Sequence, residues 1–136
     1  MVKLIVGKKG TGKTKILLDT VDKAVANAHG NIVFIGANFD HLHNLNREVR
    51  LINAKEYDIL TYREFICFLK GATSQNYDIT HIFVDGVFKI VDAKIEGLEE
   101  FIDGIKAIAE KSNIEFTLSL SADASEIPES LKGLIG

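Results

Sequence analysis

Residues 7–14 read Gly-Lys-Lys-Gly-Thr-Gly-Lys-Thr and sit between two patterned segments. Before them lies the short apolar run Val2 to Val6. After them, from Lys13, the residues Leu17, Val21, Ala24, Val25 and Ala28 keep the spacing of one helical face. No other feature narrows the possible folds as much. An apolar run that ends at glycine reads as a buried parallel strand entering a loop, and Gly30 is placed to stop the helix. Asn31 to Ala37 is a second buried-strand run, so the chain opens with a strand–helix–strand unit whose crossover is right-handed.

The pattern continues downstream. Asn38 to Arg50 is rich in polar residues and has room for one or two helical turns; Leu51–Asn53 and Tyr57–Leu60 each read as a short strand. Thr61 and Glu64 have capping-box spacing and open a helix to about Lys70, with Gly71 as its expected stop and a polar loop from there to Thr80. His81–Asp85 is another strand. Between Ile95 and Lys111 the residues Leu98, Phe101, Ile102, Ile105, Ile108 and Ala109 keep helical spacing, with acids early and lysines late, as the helix dipole favours. Glu115–Ser121 is the last strand, and Pro128 suits a first helical position ahead of Leu131 and Leu134. Strands alternating with helices predict an α/β fold: a three-layer, mostly parallel sheet with helices on both faces and ligands bound beyond the carboxyl ends of the strands.

Residues 7–14 match G-x-x-x-x-G-K-[ST], the phosphate-binding loop, through Gly7, Gly12, Lys13 and Thr14. The spacing has a physical basis. Small residues let the backbone curl until successive N–H groups, from Lys8, Lys9, Gly10, Thr11 and Gly12 to Lys13, Thr14 and Lys15, converge on a phosphate at the positive end of a helix. Lys13 adds a point charge near the outer phosphates, and the Thr14 hydroxyl is a ligand for Mg²⁺. The expected ligand is therefore a nucleoside triphosphate with Mg²⁺. ATP is favoured, because no N-K-x-D element that would read guanine follows a strand.

Such a site needs a carboxylate at the end of a neighbouring strand to hold the magnesium shell, and Asp85, after Ile82, Phe83 and Val84, has that position. Asp85-Gly86 between HIFV and VFKIV also has the form of a hairpin turn. Ser119 and Ser121 alternate with Leu118 and Leu120, so a hydroxyl at this strand end is a candidate sensor of the terminal phosphate. Glu96, Glu99 and Glu100 read as a solvated helix face, and Arg47, Arg50 and Arg63 as surface. His41 and His43, on a polar segment, read as exposed rather than as metal ligands, and Cys67 reads as core.

The chain's 136 residues form one expected domain, 1–136, and its apolar share of 46 % is that of an ordinary globular protein. A formal charge of −3 leaves nucleic-acid binding without support. The amino-terminal apolar run is too short for a secretion signal or a membrane span, which predicts a cytoplasmic protein with no membrane partner.

GKKGTGKT, NIVFIGAN, ILTYREFICFL, HIFVD and TLSLSAD together resemble the RecA-like core of additional-strand P-loop NTPases. More narrowly, the chain resembles a family of small, free-standing bacterial P-loop proteins sometimes labelled twitching-motility ATPases. The resemblance implies nucleotide roles for Lys13 and Thr14 and a Walker B role for Asp85. It supplies no catalytic base: many such ATPases have a glutamate directly after the aspartate, and this chain has Gly86. Two functions follow as expectations. One is a Mg-ATP-binding switch or regulatory module with weak or absent hydrolysis; the other is an ATPase completed by a different base or a second subunit. A protein partner or homo-oligomer is compatible with both.

Overall fold

The computed structural model describes residues 1–27, 29–39, 42, 45–92 and 95–136. Its elements run β1 (Val2–Gly7), α1 (Lys13–Asn27), β2 (Asn31–Gly36), β3 (Val49–Asn53), α2 (Tyr62–Gln75), β4 (Ile79–Asp85), α3 (Val87–Ile90), α4 (Leu98–Ser112) and β5 (Glu115–Ser121). The strands form one five-stranded sheet in the order β1-β5-β4-β2-β3, with every pairing parallel.

Strand alternation divides the interior between two faces of this sheet. Ile5, Ile32, Phe34 and Phe83 meet Leu17, Val21 and Ala24 of α1 on one face. On the other, Leu4, Val33, Ile35, Ile82, Val84, Phe116, Leu118 and Leu120 meet Phe65 and Leu69 of α2 and the buried stripe of α4. Helices therefore cover both faces, which explains why the strands read as nearly continuous apolar runs. Among the described residues no helix is long and apolar enough to cross a membrane.

The structure corrects several sequence-based boundaries. Gly71 does not end α2, which continues to Gln75. A glycine inside a helix costs about 1 kcal/mol relative to alanine, but the extra turn buries Thr73, whose hydroxyl donates to the Leu69 carbonyl at 2.8 Å. The start of α2 is as expected, with Thr61 and Glu64 forming a reciprocal capping box. Cys67 is exposed on α2 rather than in the core, because the buried stripe passes through Phe65, Leu69 and Thr73. Tyr57–Leu60 is not a strand: Ala54–Tyr57 form a 3₁₀ turn capped by Asn53, and Asp58 at φ 55° reverses the chain. Asp85-Gly86 is not a hairpin turn, since β4 is paired on both sides by parallel strands and the chain passes directly into α3. Pro128 sits one residue before a 3₁₀ segment, Glu129–Leu134, that buries Leu131. Ala28, His41 and His43 lie outside the described residues.

Candidate functional site

The carboxyl ends of β1, β5 and β4 lie side by side, and β5 separates the other two. Gly7 ends β1 in register with Ser121, and Asp85 ends β4 in register with Gly36 of β2. The glycine-rich loop connects β1 to α1, and the loop, the start of α1, the ends of β4 and β5 and the turn into α3 enclose a small cavity. Its volume is about 150 Å³, and Lys9, Gly10, Gly12, Lys13, Thr14, Asp85, Gly86, Lys89, Ser119 and Ser121 line it.

The loop closes on itself through short contacts. Gly10 and Gly12 take φ values of 87° and 85°, a region that side chains other than glycine's rarely enter. The Thr11 N–H donates to the Lys8 carbonyl at 3.2 Å, and its hydroxyl donates to the same oxygen at 2.6 Å. A Cβ on Gly7 would lie 2.5 Å from that hydroxyl, so a side chain at the first position of the motif would force the Thr11 side chain to shift. Lys8 points away and pairs with Asp123 at 3.5 Å, anchoring the loop to the segment after β5. The Asp123 carboxyl is held below its ordinary range by the Ser125 N–H and hydroxyl, opposed slightly by burial and helped by Lys8.

Lys13 is only 9 % exposed, and its ammonium folds back to donate to the Lys8 carbonyl at 2.9 Å. Burial lowers its pKa, the Lys89 charge lowers it further, and Asp85 partly offsets both. The first turn of α1 carries no acidic side chain, so nothing in the helix itself neutralises its positive end.

Across the cavity the Thr14 hydroxyl donates to Asp85 Oδ1 at 3.4 Å. Ser119, 1 % exposed, donates to the same carboxylate oxygen at 3.2 Å and accepts the Gly86 N–H at 2.7 Å. β5 is an interior strand, so this serine belongs to the buried polar wall of the site. Thr14 and Asp85 offer hydroxyl and carboxylate oxygens to one space, the hard donor chemistry that suits Mg²⁺. Among the described residues no group of three or more histidine, cysteine, aspartate or glutamate side chains gathers to hold a metal, in this cavity or elsewhere.

Of the sequence-predicted residues, Lys9, Gly10, Gly12, Lys13, Thr14, Asp85, Ser119 and Ser121 share this cavity, whereas Lys8, Thr11 and Lys15 do not line it. Glu96, Glu99, Glu100 and the three arginines lie outside it as well. Lys89 is the lining residue that sequence reasoning did not single out; Gly86 was noted there only as standing where a glutamate is expected. The available signal was helical: Val87, Ile90 and Val91 are buried, as one face of a turn after Asp85, and that spacing leaves Lys89 on the other side. The chain matches no protein-family model and no curated protein sequence, so the reading of this site rests on its geometry and chemistry.

Proposed function

We propose that the protein is a Mg²⁺-dependent nucleoside-triphosphate-binding module, with ATP favoured, whose intrinsic hydrolysis is slow or absent. The observation that carries this reading is the convergence of Lys13, Thr14 and Asp85, distant in sequence, on one cavity at the carboxyl edge of the sheet. The interposed β5 also supports a RecA-like, additional-strand core, since that resemblance implies a strand between the phosphate loop and the acidic residue.

Each residue then has a definite task. Backbone N–H groups at the start of α1 take up phosphate oxygens, as the helix dipole favours. Lys13 exchanges the Lys8 carbonyl for a phosphate oxygen, which gives its buried charge a full counter-charge. Bound Mg²⁺ would neutralise charge on the outer phosphates, with Thr14 and Asp85 as the residues to hold it and its water shell. Ser119 fixes the orientation of Asp85 through the Oδ1 hydrogen bond. Among the described residues Asp85 is the only carboxylate lining the cavity, and a magnesium-binding carboxylate is poorly placed to accept a proton from an attacking water. Slow or absent intrinsic hydrolysis is the reading this composition favours.

Calorimetric titration with ATP and ADP, with and without Mg²⁺, tests the proposal alongside a phosphate-release assay. Binding that requires Mg²⁺ and weakens about 10- to 100-fold in Lys13→Ala, the loss of one charged hydrogen-bonding partner, is the expected result. An absence of binding would overturn the nucleotide reading. Multiple-turnover phosphate release abolished in Lys13→Ala would instead make the protein a hydrolase.

A further inference from the structure

Beside Lys9 and Lys13 of the loop and helix start, the cavity is lined by a third lysine that lies outside the phosphate motif, Lys89 of α3. Its position is a consequence of Gly86. At φ 78° and ψ 68° this glycine turns the chain sharply out of β4, and its carbonyl accepts the Lys89 N–H at 2.9 Å and the Ile90 N–H at 3.2 Å. Val87 and Ile90 are then buried, and Lys89 stands at the cavity side of the turn.

The Lys89 stem lies against Gly86. A Cβ at position 86 would come within 3.1 Å of Lys89 Cδ and 3.4 Å of its Cγ, in addition to occupying a backbone region unsuited to side chains. None of the ion pairs among the described residues involves Lys89. Lys13 and Lys89 line the same small cavity, and like charges sharing one small space are an unfavourable pair that an entering polyanion would relieve.

Lys13 and Lys89 approach from different elements. Lys13 belongs to the loop and helix start whose N–H groups would grip the inner phosphates, whereas Lys89 belongs to the turn that follows Asp85 and Gly86. We propose that Lys89 is a specificity-determining residue that meets the terminal phosphate, so that Lys13 and Lys89 together select a nucleoside triphosphate over the corresponding diphosphate. This rests on the nucleotide reading above. Gly86 and Lys89 act as a unit: the position after the aspartate is left without a side chain, and the adjacent space holds a cation rather than a proton acceptor. A site of this composition grips the triphosphate without assisting its hydrolysis.

The test compares MgATP, a non-hydrolysable ATP analogue and MgADP as ligands of the wild-type protein, Lys89→Ala, Lys89→Gln and Lys89→Arg, with thermal unfolding as a check of the fold. Lys89 is exposed, so the variants should fold. Lys89→Ala and Lys89→Gln are expected to weaken both triphosphates by about 10- to 100-fold, the loss of one charged contact to phosphate, and MgADP by less than about two-fold. Lys89→Arg should recover most of the preference. Equal weakening of ATP and ADP would overturn the assignment by reducing Lys89 to a general field effect, and unchanged binding of all three ligands would overturn it outright. A wild-type protein that binds none of them would overturn the underlying nucleotide reading, and the Lys89 assignment with it.

Discussion

Replacing Ser119 by alanine removes one oxygen from the middle of the sheet and leaves two groups to answer for it. The Gly86 N–H, which now donates to Ser119 Oγ at 2.7 Å in a buried setting, loses its acceptor. Asp85 loses the 3.2 Å hydrogen bond at Oδ1, although Thr14 still reaches that oxygen at 3.4 Å. A buried donor left unsatisfied costs about 1–3 kcal/mol, and a hydrogen bond to a charged group contributes about 1.5–3 kcal/mol when fully made. Because the second bond is long and Asp85 keeps Thr14, the lower part of the combined range is expected, about 2–3 kcal/mol. With a urea slope within the roughly 1–3 kcal/mol per molar found for small proteins, the unfolding midpoint should fall by about 0.7–3 M. Ser121→Ala is the matched control, one step along the same face of β5 and only half-buried, and it should move the midpoint little. Equilibrium urea unfolding of the three proteins reads both effects. A Ser119→Ala loss below about 0.5 kcal/mol, within the spread of ordinary surface substitutions, would refute the view that this hydroxyl holds the Asp85-Gly86 turn together. Nucleotide titration of the same samples should then separate the two serines: Ser119→Ala weakens Mg²⁺-dependent binding through a misplaced Asp85, while Ser121→Ala affects only the triphosphate if its hydroxyl touches the terminal phosphate.

Gly86→Ala should destabilise the protein by about 1–2 kcal/mol, the penalty for an ordinary residue in the left-handed region, and should displace the Lys89 stem; an unchanged midpoint in urea would show that the turn readily adopts another conformation. Tyr62, packed on Phe101 with ring centroids 4.7 Å apart, has its phenol pushed up to about 12 by burial. The neutral phenol is therefore favoured by folding, a contribution fully present below the ordinary value near pH 10 and lost as the pH rises toward 12. Lys13 acts with the opposite sign, because its lowered pKa makes the native protein release that proton first, so stability gained from it rises with alkaline pH. Tyr62→Phe should thus remove the phenolate absorbance change centred near 12 and lessen the alkaline loss of stability; a tyrosine transition unaltered by the substitution would contradict the burial argument.

Much of this architecture was legible in the residues. A parallel strand buried on both faces must be apolar almost throughout, so Val2–Gly7, Asn31–Gly36 and Glu115–Ser121 stand out as runs bounded by glycine or polar residues. Helical stripes are equally local, which is why α1 and α4 were found close to their true limits. The phosphate motif is legible for a related reason: backbone curvature demands glycine at particular positions, and Gly10 and Gly12 do take positive φ. Local chemistry also located the start of α2, where Thr61 and Glu64 satisfy each other's backbone N–H groups within four residues.

Other features depend on partners far along the chain. Gly71 looks like a helix stop until Thr73 is seen to be buried, and Cys67 looks like core until Phe65, Leu69 and Thr73 are seen to define the inward face. Asp85-Gly86 admits a hairpin as well as a strand end by local spacing; the parallel neighbours β2 and β5 decide between them, because a strand already paired on both sides has no edge left for a returning hairpin. The sequence by itself determined which residues match the phosphate-loop pattern, since that pattern resides in residue type and local backbone freedom. Only the tertiary structure decided that Asp85, Ser119 and Lys89 share a cavity with Lys13 and Thr14, because strand order and crossover geometry set which strand ends are adjacent, and residues more than seventy positions apart meet through packing that no local pattern encodes.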